Sequence, residues 1–312
     1  MQIIEVSFEE YAKIVKQHSF IFDSPEFSNL NAYKCDSVHY LLFKDGHYRA
    51  GIIGGIKNNI FLSPFSAPFG GFTFLGTDIR IEYIDNALDL LLNWVKVANL
   101  SGIYITLPPV FYGEANLSKL VNCFYRKLFT IDKIDLNHYF LLDKFRDTYI
   151  NHIRKEARKN LRTSLLNHLN FSICTSLEEK VIAFDVISQN RKLLGYSLKM
   201  SFEQVMETTK IVNCDFFLVR DIHDHPVAAA IVFHVSTEIV QVIYWGDLRE
   251  YFNLRPMNYL SYKVFEYYAM LGEKIVDIGT STDDSLPNYG LCVFKESIGC
   301  DIIAKFSFSI TI

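Results

Sequence analysis

The chain has 312 residues, half of them hydrophobic and 15% aromatic, with 31 Lys and Arg against 35 Asp and Glu for a formal net charge of -4. At roughly 100 to 200 residues per domain this length provides for two compact units with a sizeable core, and the acidic balance gives no whole-molecule attraction for DNA, leaving any anion binding to a local basic face. No run reaches the ~18 apolar residues of a membrane helix, and the stretch from Met1 to Glu10 has no basic, then apolar, leader, so a cytoplasmic location is expected. Cys35, Cys123, Cys174, Cys214, Cys292 and Cys300 are scattered without a Cys-x-x-Cys pair, which reads as buried reduced thiols rather than a disulfide framework or a zinc site.

In chain order, Phe8, Tyr11, Ile14 and Val15 recur at helical spacing. Ser37–Phe43 and Tyr48–Ile56 flank Asp45-Gly46, a hairpin signal, and a short strand at 60–62 follows. The loop from Ser63 to Phe72, rich in Pro, Gly and aromatics, is next. Asp78 is expected to cap a helix to about Ala98, followed by a buried strand over Gly102–Leu107, a helix over Leu117–Tyr125 and a strand over Leu136–Leu142. Then come a helix over Thr148–Leu166, a strand over Leu169–Cys174, and helices over Glu178–Leu193 and Phe202–Val212. Three strands are expected at 215–219, 227–235 and 239–245, with a polar turn holding His223 and His225 between the first two. A helix over Met257–Leu271, a strand ending in Asp277-Ile-Gly279, a polar loop, a helix carrying Phe294-Lys295 and a strand over 302–310 close the chain. Each half therefore runs from helices into a β-meander, then helix, strand, helix and strand, and the expected domains are residues 1–145 and 146–312.

Four features occur in order: Ser63-Pro with Phe69-Gly-Gly71, Ile105-Thr-Leu-Pro108, the basic segment His152–Arg162, and Asp277-x-Gly with Gly290-Leu-x-x-Phe-Lys295 and Gly299. This pattern resembles the FemAB-like branch of the Gcn5-related N-acyltransferase (GNAT) superfamily over nearly the whole chain. The resemblance implies an α/β fold of two tandem GNAT-like domains, each a mixed central sheet flanked by helices. A nucleotide-binding sheet of the doubly wound type would instead want an early Gly-x-Gly-x-x-Gly, which is absent.

The activity implied by the resemblance is transfer of an acyl or aminoacyl group to an amine acceptor such as a cell-envelope or peptidoglycan precursor. The donor would be a carried co-substrate, aminoacyl-tRNA or acyl-CoA, with no tightly bound cofactor and no metal. Such chemistry needs alignment, a proton acceptor, and positive charge where the carbonyl becomes an oxyanion. Lys295, at the family's Phe-Lys position, is the candidate for that charge, and Asp283 in the polar loop is the candidate base. Arg154 and Arg158 match the family's basic helix and suit a phosphate-bearing substrate. Tyr244, Trp245, Tyr289 and Phe294 are candidates to line the substrate cleft, with Phe69 and Gly70 in the aromatic loop of the first half. The segment Asp247–Asn258 lacks the glycines with which ordinary GNAT enzymes hold the coenzyme A pyrophosphate, and Pro256 removes a donor there. A non-catalytic binding protein on the same scaffold and an ordinary acetyl-CoA-dependent enzyme are the alternatives.

Overall fold

The computed structural model describes residues 1–146 and 148–312. The chain divides into two compact units, Met1–Asp135 with Ala304–Ile312, and Leu136–Ile303. The division thus falls about ten residues before the expected boundary at 145/146. The last nine residues belong with the first unit.

The first unit opens with β1 (Gln2–Val6), a strand whose five residues are too few for its alternation to stand out in the sequence, then α1 (Phe8–Ile14) and α2 (Pro25–Leu30). Ser7 and Ser24 start these helices by accepting from the backbone of Glu10 and Phe27, supplying an acceptor to otherwise orphan N–H groups. Next come β2 (Ser37–Asp45), β3 (His47–Lys57), β4 (Ile60–Ser63), β5 (Phe72–Phe74), α3 (Ile81–Val97), β6 (Gly102–Thr106) and α4 (Glu114–Arg126). Gly46 turns the β2–β3 hairpin at φ +69. In α3, Ile84, Ala87, Leu88, Leu91 and Val95 form the buried stripe expected at helical spacing. Its N-cap is Arg80 rather than Asp78; Asp78 instead pairs with the Arg80 side chain at 2.9 Å.

The remaining elements are β7 (Thr130–Leu141), α5 (Asp143–Arg146), α6 (Tyr149–His152), α7 (Lys155–Leu166), β8 (Asn170–Ile173), α8 (Leu177–Leu193), α9 (Phe202–Thr208), β9 (Cys214–Arg220), β10 (Pro226–His234), β11 (Ile239–Asp247), α10 (Pro256–Leu271), β12 (Ile275–Thr280), the small hairpin β13 (Thr282–Asp283) and β14 (Leu286–Pro287), α11 (Tyr289–Ser297) and β15 (Asp301–Thr311). Reciprocal capping boxes start α8, through Ser176 and Glu179, and α9, through Ser201 and Gln204. The expected helix over 148–166 is interrupted: Ile153 and Arg154 are extended, because Ile153 is drawn into the core and the Arg154 N–H bonds the Ser297 carbonyl at 2.9 Å. His223 and His225 lie in the β9–β10 turn, where Asp221 Oδ1 accepts from both of their backbone N–H groups.

Strand order repeats in the two units. In the first, β1, β2, β3 and β4 are successively antiparallel, β4 is parallel to β6, and β6 is antiparallel to β15. In the second, β8, β9, β10 and β11 are successively antiparallel, β11 is parallel to β12, and β12 is antiparallel to β7. Each parallel pair is joined by a crossover containing one long helix, α3 or α10, as parallel strands require. Each unit takes its sixth strand from the other half of the sequence.

Candidate functional site

The feature that sets up a site in the second unit is the short parallel ladder between β11 and β12. It covers three residues, Ile239, Val240 and Gln241 against Ile275, Val276 and Asp277. Immediately beyond it both strands carry an irregularity: β11 takes one extra residue against β10 between Val242 and Tyr244, and β12 takes one against β7 between Asp277 and Gly279. Bulges bend and twist a strand, so the two strands part. β11 runs on to Asp247 with its far edge paired to β10 and its near edge facing the opening.

Backbone groups released from a ladder inside a core need other partners. On β12 these come from Lys295, which projects from α11 and is only 2% exposed. Its ammonium donates to the carbonyls of Ile278, Gly279 and Thr280, each at 3.0 Å. All three donors are therefore used, and burial pushes the ammonium down to about 8 against the opposing pull of Cys300, Asp277 and Cys292. Asp277, fully buried, accepts from Asn137 Nδ2 and Gln241 Nε2 at 2.7 Å and from the Gly279 N–H at 2.9 Å, fixing the last rung before the strands separate. His138 is also fully buried; its Nδ1 meets Ser281 Oγ at 3.0 Å, its Nε2 has no partner, and burial with the neighbouring Lys295 charge pushes it down to about 4. It is neutral near pH 7.

On the β11 side, Tyr244 and Trp245 are 8% and 7% exposed. Trp245 packs edge to face on Phe294 with centroids 6.1 Å apart. Gly246 has no room for a side chain, since a Cβ there would lie 2.7 Å from the Asn190 side chain, and Asn190 Nδ2 in turn donates to the Asp247 carbonyl at 2.8 Å. Burial pushes the Asp247 carboxyl up to about 7. Arg191, next along α8, has a buried Nε without a partner, and burial lowers its pKa against the favourable proximity of Tyr244 and Tyr196. Asn288 Nδ2 donates to the Tyr196 hydroxyl at 3.2 Å, tying the loop after α8 to the start of α11.

The sequence-predicted residues distribute unevenly. Lys295, Tyr244, Trp245 and Phe294 gather around the parting strands; on α11, Lys295 is engulfed and Phe294 is only partly buried. Asp283 lies exposed in the β13–β14 hairpin, and Tyr289 is 77% exposed at the start of α11. Arg154 is the N-cap of α7 and pairs with Glu296. Arg158 is exposed with Nε donating to the Ile153 carbonyl at 3.1 Å, and it shares an open face with Lys155, Lys159 and Arg162. Phe69 and Gly70 belong to the first unit. Phe69, 1% exposed, is packed among Phe20, Phe22 and Tyr112 and is a core residue there rather than a surface contact. Gly70 lines a cavity and donates its N–H to Thr106 at 2.9 Å. Sequence reasoning passed over Arg191, His138 and Asp247. Nothing in the helical pattern marks Arg191 or His138; the Tyr-Trp-Gly-Asp run at a strand end was the available signal for Asp247.

At the start of α10 the backbone is poorly arranged for a pyrophosphate. Pro256 has no N–H, and those of Asn258 and Tyr259 turn back onto the Arg255 carbonyl at 3.2 and 3.4 Å.

The architecture is a tandem GNAT-like fold, a mixed sheet flanked by helices in each half. Among solved structures it is similar to FemX, with a TM-score of 0.72 and 14% identity over 100% of this chain and 98% of that one. It is also similar to the L-PGS from Bacillus licheniformis, TM-score 0.61 and 12% identity over 96% and 90%, and to a tandem GNAT protein from the clavulanic acid biosynthesis pathway, TM-score 0.50 and 9% identity over 99% and 98%. No family model and no curated protein matches the sequence. At these identities the likeness is one of fold. Among the described residues no helix is long and apolar enough to cross a membrane, and no cluster of His, Cys, Asp and Glu could hold a metal ion.

Proposed function

We propose that the protein is an N-acyltransferase that moves an acyl or aminoacyl group from a carrier to an amine, and that the opening between β11 and β12 receives the donor. The observation that carries this reading is the ladder that stops after three residues. It leaves the edge of β11 able to hold an extended amide-bearing chain by strand-like hydrogen bonds. A buried cation, Lys295, lies at the base of that opening and a carboxyl shifted toward neutrality, Asp247, at its end. The resemblance of Phe294-Lys295 and the Asp277–Gly299 block to the FemAB-like pattern supports it, as does the shared fold with FemX.

In this reading the carbonyl of the donor approaches the positive end of the site, and Lys295 stabilises the oxyanion by exchanging one of its three backbone acceptors for the substrate oxygen. Asp247 rather than the exposed Asp283 takes the proton from the attacking amine, since a carboxyl with a pKa near 7 is matched to that task, and returns it to the carrier's hydroxyl or thiol as the bond from the carbonyl carbon to the carrier breaks and the amide forms. Trp245 and Phe294 exclude water from the acyl group, and Arg191 with Tyr196 and Tyr244 offers charge and hydrogen bonds to an anionic part of a substrate. The open face of Arg158, Lys159 and Arg162 meets a phosphate-bearing carrier. The crowded start of α10 favours aminoacyl-tRNA or another carrier over coenzyme A, and a cell-envelope precursor is the acceptor that the resemblance suggests.

The test is direct. Charged tRNAs and acyl-CoAs are offered with amine-bearing envelope precursors and the amide product is followed by mass spectrometry. Transfer from any donor, lost in Asp247→Asn, supports the proposal; absence of transfer across the panel favours a binding protein on the same scaffold.

A further inference from the structure

The open edge of β11 ends on a side chain from α8. Ala183, Val186 and Ile187 are the buried residues of that helix, which packs on β10 and β11, and Asn190 continues their stripe at helical spacing. A half-buried polar side chain on an apolar stripe needs a partner. Asn190 has one, because its Nδ2 donates to the Asp247 carbonyl at 2.8 Å.

Strand pairing says which edge of β11 this bond occupies. The Leu248 N–H donates to the Val227 carbonyl on β10 at 2.9 Å. Backbone groups of successive strand residues point to opposite edges. Those of Asp247, which lies opposite Ala228, therefore point away from β10, into the edge that β12 leaves after Gln241. Asn190 takes the last acceptor on the edge where an extended donor chain would pair, leaving Trp245 as the last residue whose backbone such a chain can reach. Alternation also turns Gly246 toward α8 and the Asp247 side chain to the opposite face. The missing side chain at Gly246 is what admits Asn190: a Cβ there would lie 2.7 Å from Asn190 Cγ and 2.8 Å from its Cβ and Oδ1, too close to be relieved by swinging the amide alone. Asp247 is the last residue of β11, where a strand is free to fray, and its carbonyl is fastened from one face while its carboxyl is buried on the other. Burial raises that carboxyl, only its own backbone N–H opposes the shift, and no charged group contributes.

We infer that Asn190 is the positioning residue for Asp247: seated on Gly246, it closes the free edge of β11 and fixes the backbone from which the carboxyl reaches the opening. The inference rests on the reading of Asp247 as the base for transfer.

The test breaks the contact from both sides. Asn190→Ala removes the donor, Gly246→Ala displaces it, and Val186→Ala, on the same helix face, controls for lost packing. The Asp247 carboxyl is titrated by carbon NMR from about pH 4 to about pH 9, and transfer is followed over the same range with a donor the parent uses. Asn190→Ala and Gly246→Ala should each lower kcat roughly tenfold to a hundredfold while changing the KM for the donor less than about threefold. Both should bring the carboxyl's midpoint below about pH 6, because a released strand end lets it reach water. Val186→Ala should keep the parent's midpoint and pH profile. A parent that transfers nothing defeats the reading of Asp247 as a base, and the NMR titration still decides what Asn190 does: a midpoint lowered in Asn190→Ala and Gly246→Ala alone supports the positioning role. A parent-like midpoint in both folded variants, or an equal fall in Val186→Ala, would overturn it.

Discussion

Lys295 shows how far a side chain's role depends on what the backbone around it leaves unpaired. A lysine beside a phenylalanine on an amphipathic helix reads as a charge at the rim of a cleft, and Lys295→Met would then remove charge without disturbing the fold. With its ammonium spent on three interior carbonyls, the same substitution orphans three acceptors at once. It should therefore lower stability by about 3 kcal/mol or more, measured by urea unfolding, in addition to reducing transfer. Asp247 gives a prediction with a sign. Its carboxyl keeps a proton up to about pH 7 in the fold but only to about pH 4 in the unfolded chain. Across that window the folded state binds more protons, so stability falls as pH rises from about 4 to about 7 and stays low above it. Asp247→Asn keeps the neutral shape and should be more stable than the parent at pH 8 by roughly 2 to 3 kcal/mol. Parent activity should climb through pH 7 as the base ionises, and the variant should lose about a hundredfold or more in rate. A variant no more stable at pH 8, with unchanged rate, would remove Asp247 from the site.

At the scale of elements, the basic segment illustrates how a helical projection is altered by one break. Arg154, Arg158 and Arg162 align at i, i+4 and i+8 only if the helix is continuous, and Ile153 and Arg154 are extended. Arg154 leaves the row to pair with Glu296, while Arg158, Lys159 and Arg162 remain on the exposed face of α7. The carrier contact is thus expected to reside in α7 rather than at its cap. Replacing Arg158 and Lys159 with Ala should weaken binding of a phosphate-bearing carrier at low salt, and should flatten the dependence of log affinity on log salt by about two contacts' worth. Arg154→Ala should act chiefly through stability, by freeing Glu296. Fluorescence anisotropy across a salt series separates the two, because a purely structural loss leaves the slope unchanged.

At the scale of the molecule, the exchange of closing strands makes each unit dependent on the other half of the chain. Residues 307–311 of β15 pair with 102–106 of β6, so a fragment ending at 135 leaves β6 with an unpaired edge beside an apolar face that includes Phe124, which stacks on Phe308 at 4.9 Å. The fragment 1–135 should be unstable or aggregate, and a peptide spanning 301–312 added in trans should restore cooperative unfolding. A stable, monomeric fragment without the peptide would show that β15 is dispensable. Sequence periodicity had placed the longer helices and strands of both units and their repeated order, because those patterns are set by residues three, four or two positions apart, while the short elements β1, α2, β5, α5, β13 and β14 went unmarked.

What the sequence determined by itself was therefore local and ordinal: the longer helices and strands with their repeated order, the Asp-Gly hairpin, and the Phe-Lys motif with its resemblance to the FemAB-like pattern. The tertiary structure decided partnership. It sent β15 to β6 and β7 to β12, turned Lys295 inward onto carbonyls 15 to 17 residues away, drew Arg154 to Glu296, left Asp283 exposed while burying Asp247, and placed Phe69 in a core of rings. The physical reason is the same in each case. Propensity and period act through neighbours along the chain, whereas a buried donor, acceptor or charge settles on whichever partner the assembled sheet brings within reach, and at sequence separations of tens of residues no local pattern records that choice.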